Sequence, residues 1–155
     1  MTFRITGLSA EPFRPLYGLP DAELAARGVL RYAVDAASGY PDRIEMREAR
    51  PGETVLLLNH VCQPAPSPYR ATHAIYVREG AETAYDRTGE VPEVMRSRLL
   101  SVRAYDEAGM MLDADVVDGR EVEPLIARLF GNPAVAYLHA HNARRGCYSG
   151  RIDRA

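Results

Sequence analysis

The stretch that most constrains the fold is Thr54–His60, which follows a Pro51-Gly52 turn and is apolar on both faces through the run Val55–Leu58. A short run that is apolar on both faces is typical of a strand covered on both sides. His73–Arg78 alternates instead, with Ile75 and Val77 on the same face as its first residue. The sequence therefore predicts a sheet that contains at least one interior strand.

Most other segments with a regular pattern also alternate, and they predict strands. They are Phe3–Leu8, Val29–Asp35, Arg43–Arg47, Leu99–Asp106, Met110–Val117, Ala134–Asn142 and Tyr148–Arg154. The last four are expected to form two hairpins, around Glu107–Gly109 and Arg144–Gly146. Helical spacing is found in Asp21–Arg27 and Glu121–Phe130, with a weaker helical turn at Pro92–Arg98.

Many strands, short connections and two helices that do not alternate regularly with the strands predict an α+β domain. We expect a curved, mostly antiparallel β-sheet or a partly closed barrel with two short helices, and Glu121–Phe130 is expected to cover one opening. The chain of 155 residues fits one domain, 1–155. With 46% hydrophobic residues it can build a core without disulfides or a structural metal.

The composition excludes several classes of function. A formal net charge of −2 argues against general binding to nucleic acid or to an anionic membrane. The chain has no lysine, which excludes Schiff-base chemistry. Met1–Leu8 lacks a signal-peptide pattern, no apolar run is long enough to span a bilayer, and two cysteines do not form a disulfide framework. We therefore expect a soluble, cytoplasmic protein with reduced thiols.

One stretch near the C-terminus holds the densest group of chemically versatile side chains. His139 and His141 are two residues apart, so on a strand they share a face. A turn at Arg144–Gly146 would bring Cys147 back toward His141. Two of the four histidines and one of the two thiols then lie close together, and four interpretations follow.

The first interpretation is a metal site. His139 and His141 would supply imidazole ligands and Cys147 a thiolate, a set that suits zinc. Two arginines beside the thiol disfavour a cation there. Zinc is therefore an option that the pattern does not require.

The second interpretation is nucleophilic catalysis. Cys147 would attack a substrate, His139 or His141 would act as base, and Asn142 would orient the base. Arg144 and Arg145 would favour the thiolate. No known local signature of a cysteine enzyme accompanies these residues.

The third interpretation is a binding pocket for a small polar or anionic ligand. Tyr69, Arg70 and His73 precede or begin a predicted strand and add hydrogen-bond donors to those of the C-terminal segment. Arginine binds carboxylate or phosphate through two parallel hydrogen bonds. In the fourth interpretation the histidines are structural and Cys147 is a small buried side chain, as in an interaction protein.

Motifs along the chain resemble one bacterial family of about this length. They are Gly52–Asn59, Pro68–Arg70, His73–Glu79, Ser101–Asp106, His139–Asn142 and Gly146–Tyr148. The family is the "domain of unknown function 1203". The resemblance covers nearly the whole chain and implies a stand-alone bacterial domain. It implies no activity, cofactor or catalytic residue, so the site is predicted from the residues alone.

We predict one polar pocket, built from two segments far apart in the chain, that binds a small molecule. Its residues are Tyr69, Arg70, His73, His139, His141, Asn142 and Cys147. An enzyme that uses Cys147 or a bound metal, and an interaction protein with structural histidines, are the alternatives.

Overall fold

The computed structural model, which describes residues 2–155, contains nine strands, eight of which fall on predicted segments, while β5 was not predicted. Met1, the first residue of the segment discussed for targeting, lies outside the described residues. In chain order the strands are β1 Phe3–Thr6, β2 Leu30–Ala33, β3 Thr54–Gln63, β4 Ala71–Arg78, β5 Asp86–Thr88, β6 Leu99–Tyr105, β7 Met111–Asp118, β8 Tyr137–Asn142 and β9 Tyr148–Arg154. The α-helices are α1 Asp21–Ala26, α2 Glu93–Arg96 and α3 Val122–Phe130, and short 3₁₀ helices span Arg14–Leu16 and Gly119–Glu121.

The strands pair into two sheets. The larger has the order β5-β1-β9-β8-β6-β7 and the smaller the order β2-β3-β4, and every pair of adjacent strands is antiparallel. The α+β class and the antiparallel pairing are thus confirmed. The expected partial barrel is not confirmed, because β5 and β7 remain the two edges of an open sheet. Within residues 2–155 no helix is long and apolar enough to cross a membrane.

The two predicted hairpins and the interior strand are present. β3 lies between β2 and β4, as its two apolar faces predicted. β6 pairs with β7 and β8 pairs with β9, and both turns fall where the sequence placed them. The weaker helical turn predicted at Pro92–Arg98 is present as helix α2, in addition to the two predicted helices.

The predicted strand Arg43–Arg47 is wrong. The buried carboxylate of Asp42 accepts hydrogen bonds from the amides of Glu45 (2.6 Å) and Arg78 (2.7 Å), which folds the chain into a loop. Met46 has a φ of 54°, a left-handed conformation that a strand does not contain. The segment therefore turns inward and buries Arg43.

One face of the larger sheet forms the main core. Leu100, Val102, Leu138 and Ile152 on its strands pack against one side of α3. That side carries apolar residues at helical spacing: Val122, Leu125, Ile126, Leu129 and Phe130. The predicted helix is thus confirmed, and it covers a sheet face rather than the end of a barrel.

A second core lies against the smaller sheet and brings the loop of Arg43 close to β1. Leu56 and Ile75 on β3 and β4 pack with Ile44 of that loop. Gly7 allows the approach, because a Cβ at this position would stand 2.1 Å from the carbonyl oxygen of Ile44. The amide of Leu8 donates to the carbonyl oxygen of Arg43 at 2.8 Å, which holds the loop in place.

Candidate functional site

The second face of the larger sheet is polar and aromatic, and its centre is buried. Side chains of β6 and β8 alternate across the sheet, so residues paired with each other share a face. The pairs on the polar face are Tyr105 with Tyr137, Arg103 with His139, and Ser101 with His141. Both histidines are only 3% exposed.

The smaller sheet covers this polar face. The ring of His73, on β4, lies 4.9 Å from the ring of His141 between centroids. Gln63, at the end of β3, donates from Nε2 to the hydroxyl of Tyr137 at 3.0 Å. The two segments predicted to converge therefore meet where the two sheets pack together.

His141 is held in one orientation and one tautomer. Its Nδ1 lies 2.9 Å from the carbonyl oxygen of Gly146, which only accepts, so Nδ1–H is the donor. Nε2 is then free to accept, and Nη1 of Arg103 lies 3.5 Å from it. Burial lowers the pKa of His141 to about 4. The ring is therefore neutral at pH 7.

His139 lies deeper, among aromatic rings. Its ring centroid is 5.1–5.2 Å from those of Tyr105, Tyr137 and Tyr148. Burial lowers its pKa to about 3, and the neighbouring His141 adds to that effect. Its Nδ1 is buried and has no hydrogen-bond partner in the part of the chain that the structure describes.

Cys147 is the last residue of the turn between β8 and β9, and two N–H donors face its sulfur. Nη2 of Arg43 lies 3.3 Å from Sγ, and Nδ2 of Asn142 lies 3.4 Å from it. The side chain is half-buried and is not part of a disulfide. The carboxamide oxygen of Asn142 is buried and, within residues 2–155, has no partner.

Arg43 is a buried cation. It is 3% exposed, and besides the thiol it donates to the carbonyl oxygens of Tyr148 (2.8 Å) and Pro41 (2.6 Å). Its neighbour Asp42 accepts from the backbone amides of Glu45 and Arg78 and forms no hydrogen bond with Arg43, although its charge favours the guanidinium cation. No described carboxylate forms an ion pair with Arg43, and burial lowers the pKa of its guanidinium. A buried charge without an opposite charge is costly, which points to an anion at this position.

Arg43 and Cys147 line a cleft of about 1280 Å³ between the smaller sheet and the hairpin turn of β8 and β9. Six arginines line it, namely Arg43, Arg96, Arg98, Arg120, Arg144 and Arg145. Three of them are neutralised by ion pairs: Arg96 by Glu123, Arg98 by Glu48 and Arg120 by Asp118. Within residues 2–155 the other three form no ion pair, and one further carboxylate, Asp35, lies in the cleft beside Tyr40.

The predicted site residues fall into three groups. His73, Asn142 and Cys147 line the cleft. His141, on the larger sheet, contacts His73. His139 lies among the tyrosines. Tyr69 belongs to the same group, because its ring is 6.4 Å from that of Tyr105. Arg70 is exposed and donates to the carbonyl oxygen of Pro64 at 2.6 Å, so it holds the proline-rich loop instead.

Sequence reasoning missed Arg43 as a site residue. Its neighbours Ile44 and Met46 alternate as in a strand, and this pattern placed Arg43 on the opposite, charged side. No local signal identifies it, because the loop that buries it depends on a hydrogen bond between Asp42 and the amide of Arg78, which are 36 residues apart.

The three residues considered as zinc ligands do not converge. Among residues 2–155 no group of three or more His, Cys, Asp or Glu side chains is arranged to hold a metal ion. The sulfur of Cys147 instead faces the N–H groups of Arg43 and Asn142, which repel a cation.

The comparison with known families identifies one relationship. A family model described as "Protein of unknown function (DUF1203)" matches residues 39–154. The chain belongs to this family. The matched region contains Arg43, His73, Asn142 and the hairpin turn up to Cys147, so the cleft lies almost entirely within it. Neither the curated proteins nor the solved structures gave a match to this sequence.

Proposed function

We propose that the protein binds a small anionic molecule in the arginine-lined cleft. The observation that carries the proposal is the group of three cleft arginines, Arg43, Arg144 and Arg145, that have no carboxylate partner among residues 2–155. A bound anion would supply the opposite charge. Clefts with a few convergent polar groups are the usual form of a small-molecule site.

The charges of the turn support the same ligand class. Arg144 and Arg145 are exposed at the cleft, and no hydrogen bond or ion pair within the described chain holds either side chain. Their guanidinium groups are free to form two parallel hydrogen bonds with a carboxylate or a phosphate. Among residues 2–155, Asp35 is the one cleft carboxylate outside an ion pair, so three free arginines outnumber it and the cleft favours an anion.

Two neutral groups add a second requirement. Asn142 lines the cleft, and its carboxamide oxygen has no described partner, so a ligand hydroxyl would provide the missing donor once the carboxamide turns toward the cleft. Burial lowers the pKa of His73, so its ring is neutral at pH 7 and offers one donor and one acceptor. A small acid that also carries a hydroxyl, such as a hydroxycarboxylate or a phosphorylated polyol, fits this set of groups.

The test uses citrate, a hydroxytricarboxylate, and inorganic phosphate as probes, with glycerol as an uncharged control. Binding is measured by calorimetry at pH 7 and low ionic strength, because salt screens exposed charges. We expect citrate to bind more tightly than phosphate and glycerol not to bind. The double variant Arg144→Ser/Arg145→Ser should weaken citrate binding by about tenfold or more, since each charge-assisted contact contributes about 1.5–3 kcal/mol.

A matched control separates this cleft from the general charge of the protein. Arg27 and Arg50 are exposed, do not line the cleft and form no ion pair in the described structure. The double variant Arg27→Ser/Arg50→Ser removes the same charge and should bind citrate as the natural protein does. Equal weakening in both double variants, or no binding of either anion by the natural protein, would overturn the proposal.

A further inference from the structure

The two donors at Cys147 set this thiol apart from an ordinary buried cysteine. Nη2 of Arg43 and Nδ2 of Asn142 both point at Sγ, at 3.3 Å and 3.4 Å. Sulfur accepts hydrogen bonds well as a thiolate and poorly as a thiol. Two donors, one of them charged, therefore favour the anionic form.

Arg43 provides an independent reason for an anion at this position. Its guanidinium is 3% exposed, and the other groups that it contacts are the carbonyl oxygens of Pro41 and Tyr148, which are neutral. Among its hydrogen-bond partners only the sulfur of Cys147 can carry a negative charge. A thiolate there supplies an opposite charge to Arg43 when the cleft is empty, and Arg144 and Arg145 remain available to an anionic ligand.

The second cysteine offers a comparison within the same chain. Cys62 is buried, its Sγ lies 3.7 Å from the carbonyl oxygen of Ala71, and it therefore acts as a donor. Burial raises the pKa of the Cys62 thiol. Cys147, in contrast, lines the cleft and can be reached from it. The two thiols are thus expected to differ in both charge and access.

We infer that Cys147 is a nucleophilic thiolate that forms a covalent bond with electrophilic small molecules entering the cleft. The sulfur lone pair forms an S–C bond to the electrophilic carbon, and the bond from that carbon to its leaving group breaks. The leaving group departs with the electron pair of the broken bond. We expect anionic electrophiles to react fastest, and this preference rests on the proposed anion-binding function, whereas the nucleophilicity of the sulfur does not.

The test compares two alkylating probes, neutral iodoacetamide and anionic iodoacetate, at pH 6. Each forms an S–C bond and releases iodide. Rates at Cys147 and Cys62 are followed separately by peptide mass spectrometry, in the folded protein and in the same protein unfolded by urea. A thiol with a pKa of about 8.5 is almost fully protonated at this pH. We expect folded Cys147 to react with iodoacetamide at least about tenfold faster than the unfolded chain, and Cys62 to react more slowly when folded.

Variants identify the cause of the expected rate. Asn142→Ala removes one donor, and with it a buried oxygen that has no partner, so the fold should be retained and the iodoacetamide rate at Cys147 should fall severalfold. Arg43→Lys keeps the charge but loses the planar fork, and it should also slow the reaction. A folded Cys147 that reacts with iodoacetamide no faster than the unfolded chain would overturn the inference.

The ratio of the two probes tests the proposed function separately. If the arginines select anions, the ratio of the iodoacetate rate to the iodoacetamide rate at Cys147 should be higher in the folded than in the unfolded protein. This gain in the ratio should disappear in Arg144→Ser/Arg145→Ser. A fast iodoacetamide reaction without that gain would support the thiolate and contradict selection of anions. A gain without a fast iodoacetamide reaction would support the cleft and contradict the thiolate.

Discussion

Strand β8 buries side chains on both faces of the larger sheet, but the two faces are buried with different chemistry. Along β8 the side chains of Leu138 and Ala140 enter the apolar core under α3, whereas His139 and His141 face the smaller sheet. Apolar burial on the first face stabilises the fold by about 25 cal/mol per Å². Imidazole burial on the second face costs free energy unless each ring nitrogen finds a partner.

The difference shows which face the fold needs for stability and which it can use for binding. On the apolar face every contact is generic packing. On the polar face His141 has partners for both nitrogens, His139 lacks a described partner for Nδ1, and Asn142 lacks one for its oxygen. A face that carries such costs is typical of functional sites, where local stability is given up for ligand contacts.

The largest expected effect is on the apolar face. Leu138→Ala removes a fully buried side chain from the core and should lower the free energy of unfolding by about 2–5 kcal/mol. Urea unfolding at pH 7, followed by circular dichroism, measures this loss. A loss below about 1 kcal/mol would show that the face under α3 is not the main source of stability.

A somewhat smaller effect, on the polar face, is expected from acid. The pKa values of His139 and His141 in the folded protein are lowered from 6.5 to about 3 and about 4, so the fold takes up protons less readily than the unfolded chain. Their neutral forms are compatible with full stability above pH 6.5, and stability falls as the pH drops from there toward about 4. The charged groups that act on them are arginines, Arg43, Arg103 and Arg151, which oppose protonation further.

Between pH 7 and pH 5 the loss should reach about 2–4 kcal/mol for the two rings together, since one pKa unit corresponds to about 1.4 kcal/mol. The favourable contributions of Glu53 and Glu79, whose pKa values are lowered to about 2 by arginine partners, are lost only below about pH 4.5. Urea unfolding at pH 7, 6 and 5 measures the slope. A flat profile over this range would show that the histidines are accessible to protons in the fold.

The smallest effect is expected from His139→Phe at pH 7. The substitution keeps the aromatic contacts with the three tyrosines and removes the buried Nδ1 that has no described partner. The gain from removing an unsatisfied group offsets the cost of a larger ring, so stability should change by less than about 1 kcal/mol. The pH slope between 7 and 5 should fall by about half. A loss above about 2 kcal/mol at pH 7 would mean that Nδ1 makes a stabilising contact.

Local periodicity was sufficient to predict most of this contrast. The alternation of β8 placed both histidines on one face, and the spacing of α3 identified the helix that covers the other. What could not be predicted depends on contacts between distant residues. The loop of Arg43 exists because Asp42 accepts a hydrogen bond from the amide of Arg78. An open sheet differs from a barrel only in whether its edge strands, β5 and β7, pair with each other. Neither property is encoded in a local pattern.

The measurement that tests the central claim most directly is the ratio of citrate dissociation constants for the two double variants, Arg144→Ser/Arg145→Ser and Arg27→Ser/Arg50→Ser. Both remove two exposed arginines, and they differ only in whether those arginines line the cleft. If the cleft binds anions, the dissociation constant of the Arg144→Ser/Arg145→Ser variant should be about ten or more times that of the Arg27→Ser/Arg50→Ser variant. A ratio near one would contradict it.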